Sequence, residues 1–330
     1  MPITTYGDIS PRVGIHAVAK MLEHAQPQLV IGKFAQSTPM PANKGQTLKW
    51  RRAVPWAPAL TPLAEGVRPN SQQLAFEDVT ATLGQYGSWA ELTDVIADTH
   101  EDPVLNTMME LSGEQAAETR EILDWGVLRG GTSVFWANGT ARNAVNTPVN
   151  ITKIRAVVRF LMAQRGKKIT KIQDGSIKVG TKPVEAAYVG LCHTDVVADL
   201  RAVPGFTPVA EYGSRQMLCE FEVGCIEDVR FVATPLLAPF ANAGGSAGTM
   251  ISTGGTAADV YPIIFLAQDA FGTVPFKGKD AVHPLVRNPG KPEKGDELGQ
   301  TGSVGWKMWH VSKILNQTWM ARLEVAVSKL

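Results

Sequence analysis

Residues 102–129, DPVLNTMMELSGEQAAETREILDWGVLR, constrain this chain more than any other stretch. Val104, Leu105, Met108, Met109, Leu111, Ala116, Ile122, Leu123 and Val127 recur on a 3.6-residue period and share one broad arc. Glu110, Glu114, Ala117, Glu121 and Asp124 line the opposite side. Asp102 suits the N-cap, where its carboxylate can accept from an orphan backbone N–H, and Pro103 suits the first turn, where a missing donor costs nothing. Gln115 and Thr119 fall inside the apolar arc, so the expected buried face is imperfect. At 1.5 Å per residue the rod is roughly 40 Å long, above the usual length of about three or four turns. A helix of that length needs something packed against it, and the pattern alone does not name the partner.

The chain around it has 330 residues, enough for one large domain or two ordinary ones. Hydrophobic residues at 44% and charged residues at 19% describe a folded protein rather than a disordered one. Lys and Arg number 32 against 31 Asp and Glu, a net charge of +1. That balance excludes a basic wrapper for nucleic acid and a polybasic membrane binder, and it permits close self-association. Cys192, Cys219 and Cys225 are odd in number and contain no C-x-x-C pair, which argues against a disulfide framework and against a zinc knuckle. The first residues, MPITTYGDISPR, lack the apolar core of a secretory signal, and no window approaches the roughly 20 apolar residues of a membrane span.

Along the chain, a short helix is expected from Ser10, with Pro11 in its first turn and Pro27 after its end. Residues 46–54 alternate like a strand, with Leu48 and Trp50 between Lys49 and Arg51. A Pro-rich tip, PWAPALTPLAEGVRPN, separates them from a second extended run, LAFEDVTATL. Hairpin loops favour about two to five residues, so this pair reads as a protruding arm, and a two-stranded ribbon is marginal unless it rests on another surface. ITKIRAVVRFLMAQR reads as an amphipathic helix with Ile154, Val157, Val158 and Leu161 buried. Residues 186–192 read as a buried strand running into the helix VVADLRAV, capped by Thr194 or Asp195. Further strands are expected around Val229, Phe231 and Ala233 and at YPIIFLA, with a Gly-rich surface loop over residues 241–256. From Trp319 to Val327 the odd positions are apolar and the even ones mixed, an inside–outside strand tied into a sheet.

Chemical motifs are weak. Cys192, His193 and Asp195 could supply a nucleophile, a base and an orienter, but such groups usually converge from separate segments, and capping and packing weigh more. His100, Glu101 and Asp102 are consecutive and do not share a helix face, so charge at a helix N-terminus explains them better than metal binding. GGSAGTMISTGG lacks the G-K-[ST] ending of a phosphate loop, and no G-x-G-x-x-G follows a strand. The Trp306–Trp309–His310 group reads as strand packing, and Lys49, Arg51, Arg52, Lys167, Lys168 and Lys171 as solvated faces. No catalytic, cofactor-binding or metal residue is assigned, and the expectation is a structural protein.

YGDISPR, LGQYGSWAELTDVIADTHEDPVL, GEQAAETREILDWGVLRGG, CHTD…DLR…PGF and VGWKMWHVSKILNQTWMARLEVA, in this order, resemble the major capsid proteins of tailed bacteriophages. The resemblance spans nearly the whole chain and is weakest at residues 241–256 and 278–302. It implies an α+β chain of the Hong Kong 97-type fold, with an N-terminal arm (1–45), an extended loop (46–90), a spine helix and peripheral domain (91–150), an axial domain (mostly 151–300) and C-terminal strands returning to the peripheral domain (301–330). It implies pentamers and hexamers in an icosahedral head around packaged double-stranded DNA, held through non-specific contacts. Scaffolding and portal proteins, and in some heads decoration proteins, are the implied partners, with no membrane. The implied location is the virion, assembled in the cytoplasm of the bacterial host. No long scaffolding segment precedes the arm, so a separate scaffold is expected. Some relatives cross-link an extended-loop lysine; Lys44 and Lys49 have no matched acidic catalyst, and that chemistry is not carried over. Trp50, Pro55, Trp56, Pro58 and Pro62 in the ribbon, and Glu110, Glu114 and Glu121 on the spine, are the expected contacts between copies. The rival readings are an encapsulin-like compartment, an α/β enzyme using Cys192, His193 and Asp195, and a minor virion protein.

Overall fold

In the computed structural model, the described residues are 29–40, 45–62, 65–66, 68–99, 104–173, 181–213, 215–274, 283–290, 292 and 295–330. The helix expected from Ser10, Lys44, and the start of the long helix with His100, Glu101, Asp102 and Pro103 lie outside them. A 3₁₀ turn at Ile31–Phe34 leads into a short strand β1 (Gln36–Ser37). The two alternating runs become β2 (Thr47–Ala53) and β3 (Phe76–Thr82), paired antiparallel from Thr47↔Thr82 to Ala53↔Phe76. Then come β4 (Gly84–Thr93), α1 (Asp94–Thr99) and the long helix α2 (Val104–Leu128). The run Gly84–Thr93, expected as the end of the extended loop, instead pairs along its whole length with a late strand described below.

After α2 the chain forms β5 (Val134–Trp136), α3 (Ile151–Ala163), β6 (Ile169–Gln173), β7 (Thr181–Cys192) and α4 (Val196–Ala202). Next come β8 (Phe206–Pro208), β9 (Glu222–Ile226), β10 (Val229–Ala233), β11 (Tyr261–Leu266) and β12 (Phe271–Thr273). The last elements are β13 (His283–Arg287), β14 (Thr301–His310), β15 (Ser312–Ile314) and β16 (Met320–Val325). The central sheet runs β5-β16-β11-β7-β10-β9-β8, with β6 on β7; it is mixed, β7 and β10 being parallel and β11 antiparallel to both β7 and β16. β4, β14 and β13 form a separate three-stranded sheet, and β1, β12 and β15 another.

Three layers account for the apolar runs. On one side of the central sheet, Ile154, Val157 and Leu161 of α3 and Val196 and Leu200 of α4 meet Phe231, Phe265 and Leu323. On the other, Trp125 and Leu128 of α2 and Ile31 and Phe34 meet Leu191, Val232, Ile264 and Leu266. Strands between two apolar layers cannot alternate polar and apolar, and β10, β11 and β16 are buried at every position. This corrects the inside–outside expectation for β16, whose even positions Arg322 and Glu324 are also buried. At Gly190 of β7, opposite Phe231 in register, an added Cβ would sit 2.8 Å from the Phe231 ring, so the glycine leaves that ring its space against the strand.

Two helical readings had different outcomes. α3 buries Ile154, Val157, Val158 and Leu161, as its period indicates, and Asn150 caps it by accepting from the Lys153 N–H. α2 does not bury the arc that its apolar residues define. Its buried positions are Ala116, Glu121, Asp124, Trp125 and Leu128, while Met109, Leu111 and Ile122 are exposed. The buried acids have partners far away in sequence: the Val30 and Ile31 N–H groups both donate to Glu121 Oε1 at 2.8 Å, and Asp124 Oδ1 lies 2.7 Å from His310 Nε2. Gln115, which marred the expected face, accepts from the Trp306 indole at 2.9 Å.

Candidate intersubunit surface

The ribbon leaves the body at Trp50. On one face of it Leu48 and Trp50 oppose Ala81 and Val79, and the half-buried Trp50 packs near Met40, Leu83 and Val274 while its indole donates to Thr38 Oγ1 at 3.2 Å. Beyond Trp50, every described residue from position 51 to position 78 is exposed. Backbone pairing goes one step further, the Val54 N–H donating to Ala75 O at 2.9 Å, and the Trp56 indole then donates to Gln73 O at 3.0 Å. Arg51 and Lys49 flank Asp78, and Arg52 pairs with Glu77. The Arg51 hydrogen bond is the main cause that holds the Asp78 carboxyl below its ordinary range. Pairs this exposed are screened by water and fix the ribbon's geometry more than its stability.

The tip is apolar without a core. Trp56 is 59% exposed and Leu60 89%, and Val54, Leu74 and Phe76 are exposed beside them. Pro55, Pro58 and Pro62 are exposed as well and stiffen the extended backbone by fixing φ. Of the sequence-derived contacts, these prolines and Trp56 are free to meet another molecule, whereas Trp50 anchors the ribbon on its own body. Glu110 is exposed and Glu114 half-buried on α2. Glu121 differs from the expectation of a surface residue: it is buried and accepts from residues 30 and 31 of its own chain. Sequence reasoning missed Val54, Leu60, Leu74 and Phe76, although each stands in the apolar stretches flanking the prolines. It also missed one face of the β13-β14-β4 sheet, where Trp89 and Leu285 are exposed around the close strand approach at Gly305.

Glu121 carries a pH signature. Burial, against the two backbone donors, pushes its carboxyl up to about 7, with Asp124 raising it further and Arg120 lowering it. Unfolded glutamate titrates near about 4.3, so between there and 7 the folded chain holds more protons than the unfolded one. Stability therefore falls as pH rises through that window and is flat above it, by on the order of 3 kcal/mol in all. Glu121→Gln keeps an acceptor for both N–H groups, and it is expected to match the native chain near pH 4.5 and exceed it at pH 8. Urea unfolding of the unassembled chain at the two pH values checks this; a variant weaker at pH 8 would reverse the sign.

The Cys192–Asp195 turn does not assemble a nucleophilic site. Burial pushes the Cys192 thiol up to about 12, and it lies 3.6 Å from Val232 O, a hydrogen-bond acceptor. His193 Nδ1 accepts from the Asp195 N–H at 3.1 Å. Asp195 does not cap α4 with its side chain; its Oδ2 accepts from the Tyr261 hydroxyl at 2.8 Å. The turn ties β7, α4 and β11 together. Among the described residues no three His, Cys, Asp or Glu side chains cluster to hold a metal, the three cysteines are free thiols, and no helix is long and apolar enough to cross a membrane.

The sequence matches the family described as phage capsid protein over residues 77–323. The chain belongs to that family. No curated protein sequence matches it. The capsid of Ralstonia phage GP4 is similar in structure with a TM-score of 0.70, over 100% of this chain and 99% of that one, at 10% identity. That of cyanophage P-SCSP1u gives 0.62 over 96% and 94%, at 12% identity. The holo-SrpI encapsulin complex of Synechococcus elongatus gives 0.55 over 94% of each chain, at 10% identity. At these identities the likeness is one of fold, and the capsid protein has the Hong Kong 97-type fold that its sequence resemblance implied. It is a structural protein of the virion.

Proposed function

We propose that this chain is the major capsid protein of a tailed bacteriophage, and that its copies close an icosahedral head shell around packaged double-stranded DNA. One observation carries the reading furthest: an outstretched ribbon whose apolar tip, including Trp56 and Leu60, has no core of its own. A two-stranded ribbon is marginal unaided, and stable interfaces between permanent partners commonly exceed about 2,000 Å², which a ribbon and a rod laid on neighbours can supply. Residues 46–82 act as the arm that lies on the next copy. The sheet of β4, β13 and β14 with α2 forms the peripheral domain and spine. The central sheet with α3 and α4 forms the axial domain around five-fold and six-fold centres. Pentamers and hexamers of this chain, a scaffold, a portal and any decoration protein are its partners, and assembly takes place in the bacterial host's cytoplasm.

Size-exclusion chromatography and electron microscopy of the purified chain, with scaffold supplied, test this. Closed particles are expected, and a chain that stays monomeric under every assembly condition refutes it. The encapsulin likeness favours a second reading, a compartment with protein cargo; particles holding a co-purified enzyme and no nucleic acid would select that one.

A further inference from the structure

At the β5–β16 edge of the central sheet, three guanidinium groups converge on one phenyl ring. The guanidinium carbons of Arg142, Arg129 and Arg322 lie 3.6, 4.1 and 5.9 Å from the centre of the Phe240 ring. The fully buried Glu324 accepts from Arg142 Nη2 at 2.7 Å and Nε at 3.0 Å, and Arg322 Nε lies 2.9 Å from the same carboxylate. Arg322 also donates to the Arg129 carbonyl. Among the described residues the Arg129 side chain has no carboxylate partner.

The charges do not balance. Three cations face one carboxylate, and arginine does not shed its proton to escape. The C-terminus of α2 beside Arg129 contributes roughly half a negative charge, and the ring face attracts the guanidiniums electrostatically, which together fall short of the excess. Burial, and after it the Arg142 guanidinium, holds Arg129 below the ordinary arginine range; burial does the same at Arg322, where Glu324 opposes it and Arg142 and Arg129 add to it. Arg322, with its side chain 10% exposed, forms the floor, while Arg142, 34% exposed, and the half-buried Arg129 open to solvent.

We propose that Arg129, Arg142 and Arg322 form an oxyanion site that takes a phosphate group, with Arg129 and Arg142 at its mouth. Guanidinium forks match phosphate oxygens bidentately, and a free phosphate dianion has the charge that this cluster lacks, whereas one carboxylate has half of it. The phosphate comes either from solution, as the dianion, or from a nucleic-acid backbone, whose diester presents the same oxygens with one negative charge and so meets half of the excess. This site rests on the cluster and stands whether or not the shell reading does.

The test uses the full unassembled chain at constant ionic strength. Inorganic phosphate replaces chloride stepwise while Tm and far-UV circular dichroism are followed, since an anion that binds only the folded chain raises Tm with its concentration. A saturating rise of several degrees is expected, absent in Arg129→Gln and retained in the surface control Lys153→Gln. Arg129→Gln loses no ion pair, so its fold is expected to persist. Competition by a short DNA duplex assigns the site to a backbone phosphate, and a phosphate response without competition assigns it to the free anion. A flat Tm in the native chain, or an equal rise in Arg129→Gln, overturns the proposal. So does an Arg129→Gln chain that fails to assemble when the native chain ignores phosphate, because a carboxylate of a second copy would then fill the site.

Discussion

Replacing Trp56 and Leu60 together by aspartate is expected to leave the chain folded and to abolish particle formation. Both residues stand beyond the last backbone pair of the ribbon, 59% and 89% exposed, and the body of the chain does not cover them. Leu60 lacks special contacts and Trp56 gives up one exposed indole hydrogen bond to Gln73 O, so the isolated chain should lose no more than about 1 to 1.5 kcal/mol. In the proposed shell the same side chains would be buried on a neighbour. Fully burying one large apolar side chain contributes about 1.5 to 3 kcal/mol, and an unpaired carboxylate in its place adds a desolvation cost of several more. Each copy makes that contact once and receives it once, so the loss recurs at every position of a closed shell. Circular dichroism and Tm should therefore be near native while chromatography and negative-stain microscopy show only small species. Lys153→Gln, on α3, serves as the charge-change control and should still give particles. Normal yields of closed heads from the double aspartate variant would remove the ribbon tip from the interface.

What could be read in advance depended on where each residue's partners lie. The ribbon was legible because its cues are local: Leu48 and Trp50 alternate with charges, and prolines mark the tip. α3 was legible because one face packs on a sheet and the other meets water, so polarity and burial coincide. α2 was legible as a rod and illegible in its facing. Its core-side carboxylates Glu121 and Asp124 are satisfied by residues 30, 31 and 310, which no window along the helix contains. The apolar residues left outside, Met109, Leu111 and Ile122, have the same character as core residues and cannot be told from them along the helix. The Cys192–Asp195 turn failed as a site for a related reason: the nearby Asp195 and Tyr261 groups bind one another, and the thiol is sealed under β10.

β16 shows the same limit and yields the second large effect. Its alternation looked half-exposed because Arg322 and Glu324 interrupt an apolar run, yet both are buried, and Glu324 completely so. Their partner Arg142 is 182 residues from Glu324 in sequence. Glu324→Ala leaves Arg322 buried beside Arg129 and Arg142 with no carboxylate at all. Breaking a buried ion pair from one side costs about 3 to 5 kcal/mol, because the remaining charge keeps its desolvation penalty and loses its compensation. That is a large share of the roughly 5 to 15 kcal/mol that holds a domain folded, and the variant is expected to be poorly soluble at 37 °C. The double variant Arg322→Met, Glu324→Leu removes the buried cation together with the anion and fills similar volume; Arg142, already a third exposed, can turn to water. It should recover most of the loss. Urea midpoints of the three chains decide the matter: if the single alanine variant unfolds within about 1 kcal/mol of the native chain, Glu324 is not the counter-ion that holds this edge of the sheet together.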